Sequence, residues 1–146
     1  MADSRSVASK LFAILDAVRE SKGAKASLSS IANIAMLPVS TTHRLIAEWV
    51  AWGGLVREKD GTYTIGTRLW ETGVISPNIR ILRSAAMPFL EDLLAATKQH
   101  SQLAILEGKD ALYVEKLSSR SSTPLVSRPG IRHPLHASGV GFVLLA

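Results

Sequence analysis

Leu28 to Arg57 reads L-S-S-I-A-N-I-A-M-L-P-V-S-T-T-H-R-L-I-A-E-W-V-A-W-G-G-L-V-R, two short amphipathic patterns on either side of a turn. In the first, Leu28, Ile31 and Ile34 or Ala35 recur three to four residues apart and share one helical face. Ser27 or Ser29 is placed to cap its start. The second pattern begins near Pro38, whose fixed φ and missing N–H suit a first helical turn, and runs through Trp52. At about 100° per residue, Pro38, Thr42, Leu45, Trp49 and Trp52 fall in one stripe, which is the expected buried face. The opposite arc carries Ser40, Thr41, His43, Arg44, Ala47, Glu48 and Ala51, with the hydrogen-bonding groups gathered near the helix N-terminus. A recognition helix has that distribution, because its N-terminal residues reach base edges in the major groove. Ser and Thr also crowd helix starts purely as caps, so an ordinary amphipathic helix pair is the alternative at this point.

The next residues bear on that choice. Leu55 to Ile65, L-V-R-E-K-D-G-T-Y-T-I, is a pair of β-prone runs joined by Asp60-Gly61, a dipeptide that supplies the positive φ values of a two-residue hairpin. A helix-turn-helix followed at once by a hairpin is a winged helix-turn-helix. The hairpin would carry Arg57 and Lys59 toward its tip, in reach of phosphates or the minor groove. N-terminal to the pair, Val7, Leu11, Ile14, Leu15 and Val18 form an amphipathic helix over residues 6–20, with Ser4 or Ser6 as cap, and supply a third wall. Residues 21–26 read as a polar break.

Composition permits this reading without carrying it. The chain has 146 residues and a net charge of +5, with a pI near 9.9. Residues 1–66 hold eight Lys or Arg against six Asp or Glu, and residues 67–146 hold nine against six, so the basic excess is spread evenly. The argument for nucleic acid therefore rests on the placement of Arg44, Arg57 and Lys59. Cysteine is absent, which excludes disulfides and thiolate metal sites and fits a reducing compartment. No apolar run approaches the roughly 20 residues of a membrane span, and the N-terminus lacks the order of a signal peptide. The expected location is the cytoplasm.

Beyond the wing, Gly66 to Ser76 is short and amphipathic, as a linker helix would be, and Pro77-Asn78 is expected to end it. A longer helical pattern from Ile79 to Lys98 runs through Leu82, Ala86, Phe89, Leu93 and Leu94, with Pro88 predicting a kink or a break. Ser101–Glu107 and Ala111–Leu117 read as a second hairpin around Gly108-Lys109-Asp110. Residues 118–123 read as a loop, Leu125–Ser127 as one more strand before a turn at Pro129-Gly130, and His136–Ala146 as the start of a buried helix. Two strands and a stray third leave one sheet face uncovered, so this second unit reads as incomplete.

The chain resembles the IclR family of bacterial transcriptional regulators. The likeness lies in S-V-A-S-K-L-F-A-I-L-D-A-V, in L-P-V-S-T-T-H-R-L-I-A and in G-L-V-R-E-K-D-G-T-Y-T-I-G-T-R-L. It continues in M-P-F-L-E-D-L-L-A-A-T, L-Y-V-E-K-L and R-P-G-I-R-H-P-L-H-A-S-G-V-G-F-V-L-L-A, and so covers essentially the whole chain. The last segment is the most specific, since a generic winged helix would not carry P-L-H-A-S-G-V-G at that distance from the wing. The resemblance implies an α+β protein in three parts. These are a winged helix-turn-helix over residues 1–66, a linker helix over 67–78, and over 79–146 the N-terminal part of an α/β effector domain similar to GAF domains. It implies a homo-oligomer that binds double-stranded DNA at pseudo-palindromic operators and senses a small-molecule effector. By position, Ser40, Thr41, His43 and Arg44 match the DNA-reading helix, Ser29, Arg57 and Lys59 join the candidate DNA contacts, and Leu125, His133, Gly139 and Val140 match pocket-lining positions. Family members run on for roughly another hundred residues, the usual size of a sensor domain. Ala146 would fall within an early sensor helix, so a truncated effector domain is expected. The join W-V-A-W-G-G-L-V is one residue longer than usual in the family, and Phe142 stands where a small residue or lysine is common.

Each candidate has a plainer role beside the functional one. A guanidinium at Arg44 is able to pair with guanine O6 and N7, or to form a surface ion pair with Glu48 worth a few tenths of a kcal/mol. Ser40 and Thr41 suit phosphate contacts that fix register, His43 suits either contact or solvation, and Arg57 and Lys59 suit phosphate contact or a solvated, charged edge strand. Catalytic readings fail on spacing. His100, His133 and His136 come without an H-E-x-x-H pair or a cysteine, and without a carboxylate near the last two, Ser138 lacks the leading glycine of a nucleophile elbow, and Gly139-Val140-Gly141 lacks a third glycine at dinucleotide-binding spacing. No enzyme, cofactor or metal is expected. The competing reading is a protein-interaction module, or a truncated product with only nonspecific DNA affinity.

Overall fold

The computed structural model describes residues 5–119 and 127–146, which divide into two compact units, one running to Ile75 and one from Ser76 on. In the first unit, α1 (Val7–Glu20) starts at Ser6, whose side chain accepts from the Ser9 N–H at 3.1 Å. A 3-10 turn at Lys22–Ala24 leads into a two-residue strand, β1 (Lys25–Ala26). The polar break expected at residues 21–26 is thus partly a strand, too short and too polar to show a period-2 pattern. Ser27 caps α2 (Leu28–Ile34) by accepting from the Ser30 N–H at 3.2 Å, which decides between the two serines. After a tight turn comes α3 (Val39–Trp52), flanked by Pro38 and closed by Gly53 in the left-handed region, φ 83°.

The three helices enclose a core of Ile14, Ala17, Val18, Ile31, Ala35, Leu37, Leu45 and Ile46, closed by Ala26, Leu55 and Tyr63 from the strands. Two expectations of burial need correction. Val7 is exposed, because α1 buries the face through Ile14, Ala17 and Val18. Trp52 and Pro38 are exposed as well, and Ile46 completes the buried stripe in their place. The Trp52 ring instead stands edge-on to Trp49, with centroids 5.6 Å apart, while the Trp49 indole N–H donates to the Leu11 carbonyl at 3.2 Å. Thr42 is fully buried inside a helix, and its hydroxyl is satisfied by the Pro38 carbonyl at 3.0 Å.

The wing consists of β2 (Leu55–Arg57) and β3 (Tyr63–Ile65), and with β1 it makes an antiparallel sheet in the order β1-β3-β2. Its tip is a three-residue loop, not the two-residue turn expected from Asp60-Gly61. The Glu58 N–H donates to the Thr62 carbonyl at 2.8 Å, and the Gly61 N–H to the Glu58 carbonyl at 3.0 Å. Only Gly61 takes a positive φ, 81°, as in a turn followed by a glycine bulge.

Helix α4 (Thr67–Val74) stands where a linker helix was expected, and it ends at Ile75. Pro77 does not end it but opens α5 (Pro77–Thr97), at a first-turn position where a missing N–H costs nothing. Helix α5 passes through Pro88 without a break, the proline removing one hydrogen-bond donor from a helix of 21 residues. The second unit then adds β4 (Ser101–Glu107) and β5 (Asp110–Leu117), the expected hairpin, with a register shift between Leu103 and Ala104. Its third strand is β6 (Arg132–Pro134), antiparallel to β5, so the sheet order is β4-β5-β6. Leu125 and most of the strand expected at Leu125–Ser127 lie outside the described residues. A 3-10 turn at Leu135–Ala137 precedes α6 (Gly139–Leu145), capped by Ser138 through the Gly141 N–H at 3.1 Å. This helix is not the buried one expected. It packs through Gly141, whereas Phe142 is 63 % and Val143 78 % exposed.

Helix α5 lies on β4 and β5, with Leu90, Ala111, Tyr113 and Val114 buried in this unit. Arg83 of α5 donates through Nε at 2.9 Å, and also through Nη2, to the Glu115 carboxylate on β5. Burial opposes ionisation of Glu115, but the Lys116 N–H and the Arg83 guanidinium outweigh it and leave the carboxyl below its ordinary value.

Candidate nucleic-acid interface

Helix α3 presents its first two turns outward. Ser40, His43 and Arg44 are exposed, and Thr41 is half-buried at the edge of the stripe anchored by Thr42, Leu45 and Ile46. Three fully buried or nearly buried anchors below the exposed arc fix which side chains face solvent, which is what a base-reading helix requires. Among the described residues, Arg44 forms no ion pair with Glu48, so the plainer role weighed for it is not taken up here. Ser29 is exposed on α2, its hydroxyl 3.0 Å from that of Ser27. Arg57 is exposed on β2, and Lys59 is exposed in the wing loop.

Two elements of this unit escaped the reading of the sequence. Lys25 of β1 donates to Asp60 Oδ2 at 2.7 Å, while Asp60 Oδ1 accepts from the Thr62 N–H at 3.1 Å and hydroxyl at 2.6 Å. The Lys25 ammonium, aided by Thr62, holds the Asp60 carboxyl well below the usual carboxylate range. The wing tip is thereby tied to β1. Asp-Gly-Thr is a recognisable side-chain turn, but nothing in the sequence pairs it with Lys25. The second element is Arg68 of α4, whose Nη1 donates to the Trp52 carbonyl at 3.0 Å and whose guanidinium lies 4.8 Å from the centre of a Trp52 ring. It joins α4 to the end of α3.

In the second unit, the expected pocket positions are scattered over two elements. His133 on β6 is half-buried and stands edge-on to Tyr113 at 5.4 Å. Gly139 and Val140 sit at the start of α6, exposed and half-buried respectively. Among the described residues, no group of three or more His, Asp or Glu is gathered as a metal site, and no helix is long and apolar enough to cross a membrane.

Three helices around one core with a hairpin after the third define a winged helix-turn-helix protein. Family comparison agrees with that architecture on both sides of the linker. The IclR helix-turn-helix domain matches residues 7–59, and the bacterial transcriptional regulator IclR C-terminal domain matches residues 78–146. The chain belongs to the IclR family. Among curated relatives, it is 31 % identical over 134 residues to the transcriptional regulator XynR of Escherichia coli, covering 91 % of this chain and 53 % of that one. It is 30 % identical over 146 residues to KdgR of Dickeya chrysanthemi, covering 99 % and 47 %. A crystal structure of an IclR homolog complexed with 4-hydroxybenzoate, from Microbacterium hydrocarbonoxydans, superposes with a TM-score of 0.85 at 33 % identity, covering 96 % of this chain and 58 % of that chain. The chain thus spans about half the length of the relatives it matches.

Proposed function

We propose that this chain is the DNA-binding part of a transcriptional regulator that reads a pseudo-palindromic operator as a homo-oligomer. Helix α3 enters the major groove with Arg44 toward base edges, and Ser40, Thr41 and His43 contact phosphate or bases. Ser29 adds a contact from the start of α2, and the wing sets Arg57 and Lys59 on the backbone or in the minor groove. The observation that carries this reading is the exposed arc of Ser40, His43 and Arg44 above buried Thr42, Leu45 and Ile46. Membership of a family whose curated relatives are transcriptional regulators supports it. The interaction-module and truncated-product readings find no support in those relatives.

The second unit is proposed to contribute His133, Gly139, Val140 and Leu125 to an effector site. A relative solved with a bound small organic acid supports a ligand of that general size. A cytoplasmic location follows from the same reading. Amide hydrogen exchange of the full chain with and without duplex DNA tests the placement. The expected result is slowed exchange in residues 39–44 and 57–61, and slowing confined to β4 and β5 would contradict it.

A further inference from the structure

The turn between α2 and α3 is built on a methionine where glycine is usual. The Met36 N–H donates to the Asn33 carbonyl at 3.2 Å, and the Leu37 N–H to the Ala32 carbonyl at 2.9 Å. This is the bond pair that closes a helix through a left-handed residue, a position glycine occupies most often because a Cβ crowds the following carbonyl. Met36 holds φ 52° there with its side chain 78 % exposed.

Arg5 reaches this turn from just before the cap of α1. Its Nη1 donates to the Ala35 carbonyl at 3.0 Å and its Nη2 to the Met36 carbonyl at 2.6 Å. Those two carbonyls belong to the peptide planes on either side of Met36, and the angle between the planes is the φ and ψ of Met36. One rigid guanidinium gripping both therefore fixes the conformation of the single residue that sets the direction of Leu37, Pro38 and α3. Arg5 lies outside the residues matched to the helix-turn-helix domain, which begin at residue 7.

We propose that Arg5 is a positioning residue for DNA reading, which holds the left-handed turn at Met36 and so the angle at which α3 is presented. The proposal rests on the DNA-binding reading above. Its test uses the full chain as wild type, Arg5→Ala, Arg5→Lys, Met36→Gly and the Arg5→Ala/Met36→Gly double variant. Two quantities are read: affinity, with its salt slope, for the duplex that wild type selects, and exchange of the Leu37 amide without DNA. Arg5→Ala is expected to weaken the selected duplex about tenfold with an unchanged salt slope and to speed Leu37 exchange. Arg5→Lys behaves like Arg5→Ala, because an ammonium lacks the planar fork that spans two carbonyls. Glycine at position 36 relieves the strain, so the double variant returns to within about twofold of wild type.

A salt slope lowered by about one, unrecovered by Met36→Gly, would make Arg5 a phosphate contact and overturn the proposal. Unchanged affinity in Arg5→Ala would overturn it as well. Should wild type select no duplex, the DNA reading itself fails, and Leu37 exchange still decides whether Arg5 holds the turn. Exchange that is fast in Arg5→Ala and returns to the wild-type rate in the double variant supports the clasp, and equal exchange in all variants refutes it.

Discussion

Arg44 and Lys59 are both exposed cations, yet their positions give them different work. On the proposed reading, a guanidinium on the second turn of α3 is placed for base edges, whereas an ammonium at the hairpin tip is placed for the backbone or the minor groove, with phosphate its main contact. Arg44→Ala is therefore expected to lose about 1–3 kcal/mol on the preferred duplex and to relax preference at one base pair. Lys59→Ala weakens all duplexes alike and lowers the salt slope by about one. Titrations across salt on preferred and scrambled duplexes separate the two. Asp60 supplies a pH test. Its folded carboxyl is held low by Lys25 and Thr62, so the clamp is fully present above the ordinary carboxyl value, about 4, and is lost as pH falls through the lowered one. The Thr62 amide resonance should stay fixed down to about pH 4 and move only below it, and Asp60→Asn should abolish that movement. A midpoint at the ordinary value would mean the Lys25 contact is not formed in solution. The exposed arc of α3 was legible because its spacing is local. The grips of Lys25 on Asp60 and of Arg5 on the turn span 30 residues or more, and no pattern in the sequence marks such pairs.

At the scale of elements, helices read from apolar spacing appear where expected, and the differences arise where a single residue does two things. Pro77 looked like a stop and is a start, since the same missing N–H suits both sides of a helix boundary. Asp60-Gly61 promised two left-handed residues, but Asp60 spends its side chain on Lys25 and Thr62, leaving Gly61 alone at positive φ. Strand β1 was too short to register, and it exists because β3 offers it an edge. The join of wing to linker shows a further constraint. Gly66 donates to the Gly54 carbonyl at 2.8 Å, and a Cβ on Gly66 would lie 2.2 Å from the Gly53 carbonyl oxygen. The nearest atoms are all backbone of Gly53 and Gly54, so no flexible side chain is there to give way. Gly66→Ala is expected to destabilise the first unit by about 1–3 kcal/mol and to displace α4, read as a lower denaturant midpoint with an unchanged slope. Stability equal to wild type would show that the join adapts.

For the whole molecule, contacts divide the chain into one unit running to Ile75 and one from Ser76 on, whereas the sequence predicts parts over 1–66, 67–78 and 79–146. The third strand of the second sheet was less legible. Arg132, His133 and Pro134 have little β propensity, and their pairing with Asp110, Ala111 and Leu112 is a long-range choice made by the edge of β5. Exposure of Phe142 and Val143 likewise could not be read from an apolar run, which says that a segment is apolar and not what covers it. The central claim concerns the first unit, and selection of the full chain against a random duplex pool near physiological salt, with nonspecific competitor, tests it most directly. The account predicts enrichment of an inverted repeat with half-sites about one helical turn apart. Retention without any enriched motif, vanishing as salt rises, would contradict it and leave only generic attraction to phosphate.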